Sequence, residues 1–457
     1  MRSLPCILLL AASAGWVWAA DPKEPDRGTP PATAPSQSAP AGGPAIRVGV
    51  NVPLSGALAP YGKGVLDGIR LRQRQINAAG GVSGRAIELV VEDNKGEKTD
   101  TRTAFKKLAE INRVVAVIGP ITSTNALAAK IDAEQYAVPM VSPTATNDQV
   151  TANARYVFRA CFNDSFQGRI VANYAYQSLG LRRAAVLTDK NSDYSKGLSG
   201  SFKSAFERAG GKVVAEEGYQ QKDTNFGSQL VRIKKSAAEI IFVPGYPPEV
   251  PLIIQQAKVV GFPGRLCGAD GWDSQAVLDN SGPNIEGCFL VGAFSPQDSR
   301  AVVQAFVRDM KQATGRTPGT FEALGHDSLF LLEKALAAGT TRQEVRAALH
   351  AINVLSPCLD WVGLQSPVPD FPARGGQEQH TGTVPEGART RAGLRQSPHG
   401  AGAADHHQQL QRMDRDQLPA AGRSLRLRVS GGGARRLLPL WPRRGAAGRE
   451  AMTTPPP

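Results

Sequence analysis

The sequence predicts an α/β protein of two lobes, each a doubly wound parallel sheet, with a cleft between them. Three observations lead there. Short apolar runs alternate with amphipathic helical patterns from residue 46 to about 159, which implies parallel strands joined by crossover helices. A short polar link at 163–165 follows, and the same alternation restarts and runs to 291. Hydroxyl-rich loops follow two neighbouring strands of the first unit, where open α/β sheets bind ligands.

The first unit opens with a strand at 46–52, followed by Pro53-Leu54-Ser55-Gly56. A helix is expected over 62–78, with Val65, Leu66, Ile69 and Ile76 on its apolar face and Gly80-Gly81 as its stop. A strand at 87–92, a helix over 99–111 and a strand at 114–118 come next. The stretch 119–146 organises the rest. After Gly119-Pro120, Thr122 or Ser123 can cap a helix running to about Tyr136. A strand at 138–141 then ends in a second hydroxyl-rich loop, 142–146. The helix start presents free N–H groups, a natural place for an anion.

After a strand at 156–159, the second unit carries strands at 184–187, 213–217, 240–243, 266–269 and 288–291. Helices are expected at 167–179, 195–209, 226–235, 249–260 and 273–278. Helical patterns at 300–313, 321–338 and 342–351 complete the folded part. Gly-x-Gly-x-x-Gly after a strand is absent, so nothing supports a dinucleotide site.

A chain of 457 residues suits two or three domains, and 41% hydrophobic residues suffice for a core. The formal charge of +13 is spread rather than concentrated. Residues 353–457 hold 14 arginines, no lysine and 8 acids, a net of +6, and residues 1–44 balance at zero. No basic stripe is interleaved with aromatics, so nucleic acid is not expected as a partner.

Residues 1–20 have the make-up of a secretory signal peptide: Arg2, an apolar core over 7–18, and small residues at Ala19 and Ala20 for cleavage. That core is too short to span a bilayer comfortably. Residues 21–44, rich in Pro and Ala, read as a disordered tether. Export permits disulfides. Cys267 and Cys288 fall on successive strands and can either pair or remain two buried thiols. No Cys-x-x-Cys or His cluster has ligand spacing, so no metal is expected. Beyond residue 353 apolar periodicity vanishes and lysine disappears. A disordered basic tail is one reading; a reading frame shifted near Ile352 is preferred.

The run from Ile76 to Leu89, Ile-Asn-Ala-Ala-Gly-Gly-Val-Ser-Gly-Arg-Ala-Ile-Glu-Leu, closely resembles a hallmark of the leucine/isoleucine/valine-type periplasmic binding proteins. These are the extracytoplasmic receptors of branched-chain amino acid ABC transporters. Pro53-Leu54-Ser55-Gly56, Glu92-Asp93-Asn94, Ile118-Gly119-Pro120, Pro139-Met140-Val141-Ser142-Pro143 and Thr188-Asp189-Lys190 match in order and spacing, over residues 46–351. The resemblance implies two Rossmann-like lobes joined by hinge crossovers near Asp164, Gly292 and Asn353, closing around a ligand. Lobe I would be 45–164 plus 293–352, and lobe II 165–292. A final strand pair usually completes the second lobe in this family; here the unusual tail stands in its place.

The resemblance also implies a site. Ser123 and Thr146 match carboxylate-binding hydroxyl positions, with Thr144 contributing mainly through its backbone. Asp270 matches the acid that pairs with the ligand ammonium, where many branched-chain binders have Glu. Tyr61, Tyr194 and Tyr246 match the aromatic wall, and Trp272 is a further wall candidate. The plainer readings are a helix cap for Ser123, a turn for Asp270-Gly271 and surface positions for the tyrosines. A zwitterion needs such charge-assisted partners once water leaves.

The expected protein is a periplasmic, monomeric solute-binding protein that delivers leucine, isoleucine or valine to an inner-membrane ABC permease. No cofactor and no catalytic residue is expected: Gly-x-Ser-x-Gly is absent, and His326 and His350 read as helix-face residues. Alternatives keep the fold but bind an amide, urea, aromatic or carboxylate compound, or act as a ligand sensor.

Overall fold

The computed structural model describes residues 43–354, 362–363, 426–429 and 436–439, with side chains through residue 352. The first sheet is built from β1 (Ile46–Val52), β2 (Ile87–Asp93), β3 (Ala116–Ile118), β4 (Met140–Ser142) and β5 (Val157–Arg159). Its crossovers include α1 (Ala59–Ala78), α2 (Lys98–Lys106) with a π-helical turn at Lys107–Ile111, and α3 (Ser123–Gln135). The spatial order is β2-β1-β3-β4-β5, and every pair is parallel. Helices on both faces explain why nearly all of β1 is buried. Val48, Val50 and Ile118 pack into one core layer, while Val117 and Met140 point to the opposite layer with Phe105 and Leu108.

The second sheet repeats the plan. α4 (Asp164–Asn173) and a π-helical turn, Tyr174–Ser178, lead into β6 (Arg183–Asp189). Then come α5 (Asp193–Arg208), β7 (Lys212–Tyr219), α6 (Gly227–Lys235), β8 (Ile240–Phe242), α7 (Glu249–Val260), β9 (Arg265–Gly268), α8 (Gln275–Ser281) and β10 (Phe289–Gly292). The order β7-β6-β8-β9-β10 is the same 2-1-3-4-5 arrangement, again parallel. Each sheet therefore reverses its winding once, between β1 and β3 and between β6 and β8. Ligands bind at such points in open α/β sheets.

Three helices follow: α9 (Ala301–Thr314), α10 (Thr320–Leu336) and α11 (Arg342–Ala351). They return to the first sheet, and Phe306, Leu324 and Leu332 share a core with Val65 and Ile69 of α1. The crossing of α1 and α10 depends on small residues. A Cβ at Gly68 would lie 2.0 Å from the Glu322 carbonyl oxygen, and one at Gly325 would lie 2.1 Å from that of Val65.

Of the two readings open for Cys267 and Cys288, the structure has the two buried thiols. Register explains this: Cys267 pairs with Phe289, so Cys288 lies one residue earlier and its side chain points to the opposite face. Cys267 accordingly packs in one core layer of the second lobe and Cys288 in the other. The described residues beyond 352 form short strands. β11 (Asn353–Val354) pairs with β12 (Val362–Gly363), and β13 (Arg426–Val429) runs antiparallel to β10 and pairs with β14 (Arg436–Pro439). Without β13, the β10 edge would present unpaired backbone groups, and the alternating Arg-Leu-Arg-Val suits that position. The signal peptide, nearly all of the tether, Cys358 and the remaining tail, with the proposed frame shift, lie outside the described residues.

Candidate functional site

The two reversal points supply half of the candidate residues. Tyr61 lies in the first turn of α1 after β1, and Ser123 opens α3 after β3. Tyr194 lies in the first turn of α5 after β6, and Tyr246 lies between β8 and α7. Thr144 and Thr146 follow β4, and Asp270 begins a short 3-10 turn, Asp270–Trp272, after β9.

In the first lobe, Thr122 caps α3, its hydroxyl accepting the Asn125 N–H at 3.4 Å. Ser123 is thereby released from capping. Its Oγ accepts the Asn147 N–H at 3.1 Å, so it bridges the two hydroxyl loops. Thr144 donates to the Ile121 carbonyl at 2.6 Å, and Ser142 donates to the Pro120 carbonyl at 2.6 Å. The Thr146 hydroxyl is buried and makes no hydrogen bond among the described residues.

In the second lobe, Asp270 is buried and held on two sides. Its N–H donates to Gln167 Oε1 at 3.2 Å, and its Oδ1 accepts from the Tyr194 hydroxyl at 2.9 Å. That hydroxyl also accepts the Gly271 N–H at 2.9 Å. Burial raises the Asp270 carboxyl to about 6, although Tyr194 and Gln167 pull the other way. Burial, then the Asp270 charge, drives the Tyr194 and Tyr246 hydroxyls well above the usual phenol range.

The lobes touch directly. Tyr61 donates to the Gly271 carbonyl at 2.5 Å. The Tyr246 ring stacks on Tyr194 at 4.6 Å and meets Tyr61 edge-on at 6.1 Å, while Tyr61 stacks on Phe321 at 4.2 Å. Farther along the cleft, Asn147 Nδ2 donates to the Asp193 carbonyl at 2.7 Å, and the Asp193 N–H reaches Thr124 Oγ1 at 2.9 Å. Thr320 donates to Asp273.

Asp164 links the two halves. It opens α4, its N–H donates to the Thr146 carbonyl at 2.8 Å, and its carboxyl is buried with neither oxygen hydrogen-bonded among the described residues. Burial puts this carboxyl well above the ordinary range. The nearby Thr146 hydroxyl opposes the shift from outside hydrogen-bond geometry, and the Asp270 charge adds to it.

The structure therefore brings Tyr61, Tyr194, Tyr246 and Asp270 together, and Ser123, Thr144 and Thr146 together, with Asp164 near both sets. Tyr61 and Tyr194, placed in loops by the sequence reading, are in first helical turns. Trp272 packs among the apolar side chains of the second lobe, its indole N–H donates to the Val243 carbonyl at 2.8 Å, and its ring covers Gly268. Arg159, Asp164, Gln167 and Gly271 were missed as site residues. Asp164 and Gln167 are three residues apart on one helix face, but the sequence reading divided them, Asp164 falling in the link at 163–165 and Gln167 at the start of the next helix.

Two α/β lobes meeting over buried acids and hydroxyls define a solute-binding protein of the ABC-transporter type. A family model described as periplasmic binding protein matches residues 45–374, and the chain belongs to that family. The match runs past the change in composition at 353. A leucine-, isoleucine-, valine-, threonine- and alanine-binding protein of Pseudomonas aeruginosa is 27% identical over 319 residues, covering 68% of this chain and 84% of the relative. The branched-chain amino acid substrate-binding protein LivJ of Streptococcus pneumoniae, solved with isoleucine, is 32% identical with a TM-score of 0.66, covering 69% of this chain and 91% of its own. A solute-binding protein of R. palustris solved with benzoate is 26% identical with a TM-score of 0.63, covering 68% and 87%.

Proposed function

We propose that this protein binds an aliphatic α-amino acid between its lobes and delivers it to an ABC permease. Ser123, Thr144 and Thr146 would take the ligand carboxylate, and Asp270 its ammonium. Tyr61, Tyr194 and Tyr246 would wall the side chain. The protein would act in the periplasm as a monomer, after removal of its signal peptide.

One observation carries the reading: a buried acid, Asp270, bonded to a tyrosine hydroxyl and not ion-paired to any described cationic side chain. A buried carboxylate without a counter-charge is costly, and a ligand ammonium supplies that charge. The ligands of the two structural neighbours, isoleucine and benzoate, share a carboxylate. Asp270 distinguishes them, because it favours an ammonium and disfavours a bare aromatic acid. Titration calorimetry with leucine, isoleucine, valine and benzoate tests the proposal. Heat for at least one amino acid is expected; heat for benzoate alone, or for none, overturns it.

A further inference from the structure

We propose that Arg159 is the positioning residue for the ligand's carboxylate, although its side chain lies behind the hydroxyl loop. The inference rests on the amino-acid reading above and adds the group that makes the loop attractive to an anion.

Arg159 ends β5 and is 1% exposed. Its Nη1 donates to the carbonyls of Thr146, at 2.7 Å, and Ala145, at 3.4 Å. Its Nη2 donates to Thr151 Oγ1 at 2.7 Å and the Asp148 carbonyl at 3.3 Å. All four partners are neutral, and Nε has no hydrogen-bond partner among the described residues. A full positive charge is thus hydrogen-bonded to dipoles alone among the described residues, with the buried Asp164 carboxyl near enough to feel it but not paired to it, an arrangement that favours a nearby anion.

The carbonyl contacts also set the direction of the loop. In a trans peptide the C=O of one residue and the N–H of the next point opposite ways. Drawing the Ala145 and Thr146 carbonyls toward one guanidinium nitrogen turns the N–H groups of Thr146 and Asn147 to the other side. The Asn147 N–H shows where that side lies, because it meets Ser123 Oγ at 3.1 Å. Successive N–H groups turned one way form an anion-binding concavity. Ser123 accepts there and keeps its own proton to donate. Arg159 therefore shapes the donor set from behind and adds a fixed charge behind it.

The test compares each amino acid that binds with its carboxamide, which has the same shape without the negative charge. Calorimetry gives the acid-over-amide preference for wild type, Arg159→Gln and Arg159→Lys, with folding checked by circular dichroism. In Arg159→Gln the preference should fall at least about tenfold, roughly 1.4 kcal/mol. Arg159→Lys should retain most of it while binding both ligands more weakly. A merely structural role would weaken acid and amide alike. A folded Arg159→Gln protein with the wild-type ratio overturns the proposal. If that variant does not fold, Thr151→Val, which removes one guanidinium anchor, should lower the ratio about threefold, and an unchanged ratio overturns it. Wild type that binds no amino acid would end the underlying reading and this inference with it; wild type that binds while the variants keep its ratio would end this inference alone.

Discussion

The Tyr194 hydroxyl donates to Asp270 Oδ1 while accepting the N–H of Gly271, each at 2.9 Å. One phenol thus fixes both the acid and the turn that carries it. Replacing Asp270 with Asn keeps the shape and removes the charge. Amino-acid affinity should fall by about a hundredfold, within the range for removing one partner of a buried charge pair. Calorimetry reads the change directly, and stability should be little affected.

Affinity should also depend on pH. The Asp270 carboxyl is raised to about 6, so the empty protein carries the proton below that value. An ammonium needs the ionised form. Binding should weaken as pH falls through about 6, by up to about tenfold per unit, with proton release on binding. The sign for stability is the reverse. The folded value exceeds the unfolded one, so the ligand-free protein should lose stability as pH rises from about 4 to 6. Across that window the melting temperature of empty protein should fall with rising pH, while that of saturated protein should stay nearly level, because Asp270 is ionised both in the loaded and in the unfolded state.

Tyr61 reaches across the cleft to the Gly271 carbonyl. Tyr61→Phe keeps the ring on Phe321 and removes this bond. Ligand affinity should drop by about 1 kcal/mol, five- to tenfold, mainly through faster dissociation. Stopped-flow fluorescence would separate the two rates.

Gly197 of α5 faces the buried carboxyl of Asp164. A Cβ there would come within 2.3 Å of Asp164 Oδ2 and 2.5 Å of Asn147 Nδ2. Gly197→Ala should cost about 1–3 kcal/mol, lowering the melting temperature by several degrees in calorimetry.

Cys267 and Cys288 should both react with an alkylating reagent after unfolding without reductant. Mass spectrometry would count the labels. Opposite side-chain directions on neighbouring strands are the reason.

What the sequence revealed and what it hid follow from the range of the interactions. Helices at 249–260 and 342–351 were legible to the residue, because apolar spacing and caps are local. The hydroxyl loops were legible because they follow apolar strands. The setting of Trp272 was hidden because it depends on Gly268 leaving room for the ring and on a carbonyl 29 residues away. Arg159 and Gln167 acquire roles only from loops folded against them. The pairing of Gly68 with Gly325 spans two helices far apart in the chain, and no local pattern announces it.

Gly271 faces both ways: its N–H stays with Tyr194 in its own lobe, while its carbonyl goes to Tyr61 in the other. Parting the lobes would sever only the second contact. The acid would then keep its orientation in an open molecule, so an incoming solute would meet a half-built receptor needing no rearrangement. Little ordering entropy would remain to be lost on capture, and residence time would be governed by how often Tyr61 lets go.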